Sequence, residues 1–265
     1  MSILKEICDS RRNEVEQRKK NLPLDKLKDL CANAPQTRDF KAALQTMADT
    51  DQPAIIAEIK KRSPSAGEIR TDFDVQHIAR RYEQGGAACL SILTESKYFD
   101  GDDAYIELAK GACRLPVLRK DFMVDPYQIY ESRALGADCV LIILAALPYE
   151  QARDMHMLAK SLGLSALVEC HDHQEYEQAL TIGADLIGIN SRNLKTQKTD
   201  TSIFSTMGPY FPQDKIMIAE SGIKTSDMIE NLLDAGYDAF LIGEHFMAQN
   251  DPGLAVQVIL SLKRK

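Results

Sequence analysis

Short apolar runs rich in Ile, Val, Leu and Ala recur along the chain and alternate with stretches of helical spacing. The apolar runs cover 54–59, 89–93, 116–118, 139–143, 165–168, 185–189, 215–219 and 239–242. Each is short and bounded by turn residues, which predicts a strand buried on both faces. Between them, 126–135, 149–162, 174–182 and 227–235 carry helical periodicity. Several helical stretches end in Gly followed by Ala or Tyr, at Gly86, Gly136, Gly183 and Gly236. A glycine there suits the left-handed residue that closes a helix before the next strand. Parallel strands need a crossover, so this alternation predicts βαβ units.

Eight such units in about 210 residues fit an α/β fold, the (β/α)8 TIM barrel. A doubly wound open sheet is the alternative, but it normally has fewer strands and a clear switch point. Residues 1–50 precede the first strand and read as three helical pieces, 2–20, 24–30 and 40–47. They are too short for a large core of their own. The expected organisation is one barrel domain over 1–265 with 1–50 as an N-terminal helical extension.

The net charge of −7 argues against a general nucleic-acid binder, which is usually basic. The cysteines at 8, 31, 89, 113, 139 and 170 include no C-x-x-C pair. Neither a zinc site nor a dithiol motif is indicated, and a reduced, cytoplasmic protein is expected. The N-terminus is heavily charged and lacks the apolar core of a secretory signal. The apolar run 139–147 is too short to span a bilayer.

In this fold the active site lies at the C-terminal strand ends. The first offers Glu58, Lys60 and Ser63, with Glu58 and Lys60 on one face because they are two residues apart. The second offers Thr94 to Lys97 and then Phe99, and the third Lys120, Asp121 and Phe122. The fourth ends apolar at Leu141 and Ile143, and the fifth ends at Glu169, followed by Cys170 and His171. Asn190 and Arg192 follow the sixth, Glu220, Ser221 and Gly222 the seventh, and Gly243 and Glu244 the eighth. Lys60, Lys120, Glu58, Glu169, Glu220 and Asn190 thus stand where they can converge, while the opposite strand ends show little comparable chemistry. Singly, each has a bland reading: Lys60 as a loop charge, Glu169 as an exposed strand-end carboxylate, Asn190 as a turn cap. Lys120 and Asp121 are adjacent, so one of them should point away from the site. The glycines after strands seven and eight suit the phosphate site that recurs in this barrel, against the alternative of simple tight turns. His171, His173 and His245 show no metal-ligand spacing, and no metal site is expected.

AEIKKRSPSAG, SILTESKYFDG, LRKDF, ALVEC, GINSRNL, IAESGI and FLIGEHFM occur in this order, one per strand end. Together they resemble the indole-3-glycerol phosphate synthase family, over essentially the whole chain. The resemblance implies conversion of 1-(2-carboxyphenylamino)-1-deoxyribulose 5-phosphate to indole-3-glycerol phosphate, CO2 and water, in tryptophan biosynthesis. It implies no metal and no organic cofactor, and a phosphorylated small molecule as the partner rather than nucleic acid or membrane. A monomer is the simpler expectation.

By resemblance, Lys120 is the general acid at the ketose carbonyl and Glu169 the partner in the later dehydration. Glu58 and Lys60 look like a pair that orients and assists proton transfer. Asn190 and Glu220 match positions that hold the ring and hydroxyls, and Arg192 a substrate-binding group. Phe99, Phe122, Leu141 and Leu194 match the apolar walls around the anthranilate ring. Lys60, Ser221, Gly222 and Gly243 match phosphate-binding positions, with Ser63 and Glu244 beside them. The family commonly has a Ser near Glu244 and His245, a departure that a backbone amide can cover. Lysines among apolar walls are expected to be partly desolvated, with a lowered pKa. Ser63-Pro64-Ser65 is expected to form a mobile lid edge. A Schiff-base aldolase using Lys120 as nucleophile, and a barrel that only binds a phosphorylated ligand, are the competing readings.

Overall fold

The computed structural model describes residues 2–48, 52–194, 196–208 and 211–261. Among them, eight parallel strands close into a barrel in sequence order. They are β1 (Ala54–Ile59), β2 (Cys89–Leu93), β3 (Val117–Lys120), β4 (Cys139–Ile143), β5 (Ser165–Cys170), β6 (Leu186–Asn190), β7 (Ile216–Glu220) and β8 (Ala239–Ile242). The sheet closes between β1 and β8, with Ala54 paired to Ala239 and Ala57 to Ile242. A crossover helix follows each strand, as at Val75–Gly85 after β1 and His173–Ile182 after β5. Gly86 and Gly183 close these two helices in the left-handed conformation, at φ 91° and 78°. The open sheet is thereby set aside. Four strands match their expected bounds, and β3, β5, β6 and β7 shift or extend by one or two residues toward their C-terminal ends.

Side-chain alternation builds two apolar layers. Ile55, Ala57 and Ile59 of β1 pack outward against the helices, in one cluster with Val140, Val168 and Phe240. Ala54 and Ile56 face the interior, with Leu118, Leu141, Leu167, Leu186 and Ile218. The interior is a packed core, so the barrel has no bore.

The extension forms α1 (Ile3–Asn21), α2 (Leu24–Asn33) and α3 (Phe40–Ala48). It runs the full height of the barrel. Leu4 and Ile7 of α1 meet the cleft at the C-terminal strand ends. Fully buried Phe40 and Leu44 of α3 join the interior cluster, and α3 contacts β1, β2 and β7 at their starts. Burying a Phe there contributes about 3–5 kcal/mol relative to Ala.

The N-terminal strand ends carry more charge than expected, but it is paired within the protein. The Asp138 carboxylate accepts from the Arg38 amide at 2.7 Å, Lys110 at 2.6 Å and the Val117 amide at 2.8 Å. Asp185 meets Lys41 at 3.1 Å and Lys160 at 3.4 Å. These contacts fasten the extension to the base of the barrel. The six cysteines are buried and unpaired. No helix among the described residues is long and apolar enough to cross a membrane.

Candidate active site

Strand alternation aims the chemistry inward. Glu58 continues the interior series of Ala54 and Ile56, Lys120 follows Leu118, and Glu169 follows Leu167. Asn190 follows Leu186, and Glu220 follows Ile216 and Ile218. The apolar layers thus end, at one height, in a ring of polar groups. Glu58, Glu169, Asn190 and Glu220 are all buried.

Lys120 stands at the centre of this ring. Its Nζ lies 3.2 Å from Glu220 Oε2, 3.6 Å from Glu169 Oε2 and 3.9 Å from Glu58 Oε2. Burial alone would lower the Lys120 pKa, but Glu220, Glu169 and Glu58 outweigh it and raise the value well above that of a free lysine. The expectation of a depressed lysine is therefore overturned: its surroundings are carboxylates rather than bare apolar wall. Burial works against ionised Glu58 too, yet Lys60 and Lys120 hold its pKa below the usual range. Glu58 and Lys60 are joined directly by a hydrogen bond, as their spacing implied.

The remaining pair splits. Burial and the nearby Glu169 charge push Glu220 up, while burial of Glu169 is overcome by Lys120 and His171, which hold it down. The two neighbouring carboxyl groups are thus driven apart, Glu220 holding a proton more tightly than Glu169. Glycine makes room for two of these groups. A Cβ on Gly188 would sit 2.1 Å from Glu220 Oε1, and one on Gly243 would sit 2.3 Å from Glu58 Oε1.

Above the ring opens a cleft of about 480 Å³. Phe99, Phe122 and Leu194 line its apolar side, the two rings 6.1 Å apart between centroids. Phe99 is set by Glu95, fully buried, whose carboxylate accepts from the amides of Lys97, Tyr98 and Phe99 at 2.7–3.1 Å. Lys60, Ser63, Ser221, Gly222 and Gly243 line the far end, with Lys224 and His245 beside them. Ser221 and Gly222 both take positive φ, 70° and 74°. For Ser this is a strained conformation of the kind that gathers at functional sites. A Cβ on Gly222 would meet Thr199 Cγ2 at 2.7 Å, so only glycine fits this turn. Arg192 bonds Ser65 and lies 3.5 Å from Glu244, tying the loop after β1 to those after β6 and β8. Ser63 ends the first strand and Ser65 sits in the turn of a short hairpin, Arg62–Ser63 with Gly67–Glu68, at the cleft mouth.

Most of the expected site residues therefore meet. Leu141 does not: it is buried one layer down, and Ile143 takes its place on the cleft wall. Glu220 sits beneath Lys120 rather than on the wall. Asp121 is the neighbour that turns away, buried against Arg11 and Thr94. Sequence reasoning missed Leu4 and Ile7, which reach the cleft from α1 with no local signal that α1 crosses the barrel mouth. It also missed Lys224, which follows the IAESGI motif by one residue.

Comparison with known proteins places this geometry. The family model described as indole-3-glycerol phosphate synthase matches residues 4–259. The indole-3-glycerol phosphate synthase of Rhodospirillum rubrum is 46% identical over 259 residues, covering 97% of this chain and 98% of that protein. Among solved structures, 3-hexulose-6-phosphate synthase from Salmonella typhimurium superposes with a TM-score of 0.63 at 12% identity, over 78% of this chain and 97% of that one. The N-acetylmannosamine-6-phosphate 2-epimerase from Clostridium perfringens gives 0.59 at 14% identity, over 81% and 95%. At such identities these two speak for the barrel alone. The full-length match and the seven strand-end motifs together establish that the chain belongs to the indole-3-glycerol phosphate synthase family.

Proposed function

We propose that Lys120 is the general acid of the family's reaction, with Glu169 its partner in dehydration and Glu58, Lys60, Asn190 and Glu220 supporting them. The protein is a carboxy-lyase that closes the indole ring and releases CO2 and water. The observation that carries the residue assignment is the Lys120 ammonium within 4 Å of three buried carboxylates at the floor of the cleft.

The chemistry follows from that arrangement. Attack of the aromatic carbon on the ketose carbonyl turns its oxygen into an alkoxide. A fixed ammonium stabilises that charge and gives up a proton as it forms. The strongly held proton of Lys120 is no obstacle, because an alkoxide is a far stronger base than an amine. The iminium left by ring closure takes up the electron pair released with CO2. Loss of the hydroxyl as water then needs an acid and rearomatisation a base. Glu169 lines the cleft and supplies the carboxyl group for these steps, while Glu220, beneath Lys120, holds its proton more tightly than Glu169 does. Phe99, Phe122 and Leu194 enclose the ring, while Lys60, Ser221, Gly222 and Gly243 receive the phosphate, with Ser63, Arg192 and Glu244 shaping that end of the cleft. The raised pKa of Lys120 also speaks against the aldolase reading, since a Schiff base forms from a neutral amine.

Indole fluorescence tests this directly, because the chain has no Trp. Product should appear from the carboxyphenylamino-deoxyribulose phosphate, and Lys120→Ala should lose kcat while still binding substrate. A Lys120→Ala enzyme with native kcat, or trapping of substrate on Lys120 by borohydride, would overturn the assignment.

A further inference from the structure

The catalytic carboxylate Glu169 is held from two sides. Its Oε2 faces Lys120 at 3.6 Å, and its Oε1 faces His171 Nε2 at 3.2 Å. His171 is in turn held by Glu175, whose Oε2 lies 3.2 Å from Nδ1 and accepts from the His171 amide at 2.8 Å. Neither His171 nor Glu175 lines the cleft. We propose that His171, braced by Glu175, is a positioning residue for Glu169: it stands as an ion-pair partner behind one carboxylate oxygen, in a geometry short of a hydrogen bond, so that the other oxygen faces Lys120 and the substrate. The inference rests on the role given above to Glu169.

Local structure explains the array. His171 is two residues past Glu169, so its ring leaves the chain on the same side. Asp172 caps the helix His173–Ile182, accepting from the Glu175 amide at 2.8 Å. Glu175, in the first turn, reaches back over the cap in the manner of a capping box. Its carboxylate thereby satisfies a backbone donor and the imidazole together. Helix start, histidine and catalytic glutamate are one connected unit.

The charges agree with this reading. Burial opposes a charged imidazole, but Glu169 and Glu175 overcome it and push the His171 pKa up to about 10. The groups facing His171 are Glu169 on its own strand and Glu175 on the following helix, with Lys120 of β3 and Glu220 of β7 around Glu169. An imidazolium behind Glu169, absent behind Glu220, favours the ionised form of Glu169 and leaves the proton on Glu220. Removing it raises the Glu169 pKa, so the enzyme needs a higher pH to keep that group as a base.

The test compares pH profiles of the full chain with His171→Gln, Glu175→Gln and Glu169→Gln, using the carboxyphenylamino-deoxyribulose phosphate. His171→Gln should lower kcat about 10- to 100-fold, with KM changed far less. The acid limb of its kcat profile should move up by about one pH unit. Glu175→Gln should shift the limb in the same direction, and in the His171→Gln background it should add nothing. Native kcat with an unmoved acid limb in His171→Gln would overturn the inference. If Glu169→Gln itself turns over normally, the role of Glu169 falls instead, which separates the two failures. NMR of the unmodified enzyme gives an answer independent of any variant's folding. The His171 ring should stay protonated through neutral pH, and titration near the ordinary histidine value of about 6.5 would refute the bracing.

Discussion

The guanidinium of Arg11 lies 2.6 Å from the carboxylate of Asp121, and both side chains are sealed from solvent. Arg11 belongs to α1, whereas Asp121 directly follows Lys120, the proposed acid, on the third strand end. Asp121 also accepts from Thr94 at 2.5 Å, and Arg119 lies 3.5 Å away with Asp103 and Glu131 at 2.8 Å. One charge network therefore joins the extension to the strand that carries Lys120. It holds α1 where Leu4 and Ile7 reach the cleft.

Arg11→Ala should damage folding and binding together. Asp121 keeps Thr94, the Phe122 amide and Arg119 at 3.5 Å, so losing its Arg11 partner costs up to about 3–5 kcal/mol, a fall in Tm of at most on the order of 10 °C for a chain of this size. With α1 loosened, KM should rise more than kcat falls, because Leu4 and Ile7 contact substrate space but no reacting proton. Calorimetry and steady-state kinetics check both. An unchanged Tm would mean that solvent or other contacts already satisfy Asp121.

Gly188→Ala should impair chemistry and also cost stability, because it displaces a buried charge from its partner. The added Cβ would meet Glu220 Oε1 at 2.1 Å and Leu167 Cδ1 at 3.2 Å, so the buried Glu220 carboxyl must shift. Doing so takes Glu220 from Lys120 and disturbs the proton on the Glu169–Glu220 pair. A fall in kcat of about 10- to 100-fold is expected from such a displacement. Gly111→Ala, where a Cβ would meet nothing within 4 Å, is the control and should keep full activity. Equal kcat in the two variants would show that Glu220 needs no fixed position.

Lys120→Met should reverse part of the pH dependence of stability. In the native protein the Glu58 pKa is depressed, so its contribution is present above its unfolded value and is lost as pH falls through the lower folded one. The Lys120 pKa is raised, so its contribution is complete below the ordinary lysine value and is lost only as pH rises through the higher folded one. Without Lys120, buried Glu58, Glu169 and Glu220 lose a shared cation, and the folded state retains protons that the unfolded state releases. Stability must then fall as pH rises above about 4.5, the ordinary carboxylate range. Thermal melts from mildly acidic to mildly alkaline pH should show the variant losing Tm relative to the native chain. Parallel curves would argue that the carboxylates are coupled only weakly to Lys120.

The polar ring at the strand ends was legible because its members repeat one local rule. Glu58, Lys120, Glu169 and Glu220 each stand one inward step beyond an apolar residue, and Asn190 one step beyond Gly188, at the end of a strand the pattern already marks. Leu141 was misplaced for the same reason: strand alternation gives its face but not its depth, and Ile143 lies one layer higher. Asp121 shows the other limit. Adjacent residues in a strand must point apart, yet nothing local says that the outward group meets an arginine 110 residues away.

By itself the sequence determined the (β/α)8 architecture, the eight strand ends and the polar residues proposed for acid, base and phosphate site. Periodicity and turn chemistry are local, so a linear pattern carries them. The tertiary structure decided the electrical state of those residues. Lys120 is a strongly held ammonium rather than a depressed amine because closure of the barrel sets Glu58, Glu169 and Glu220 around it. It also decided that α1 crosses the mouth of the barrel and that His171 stands behind Glu169. Coulomb energies depend on distances of a few ångströms between groups far apart in sequence, and only the folded chain fixes those distances.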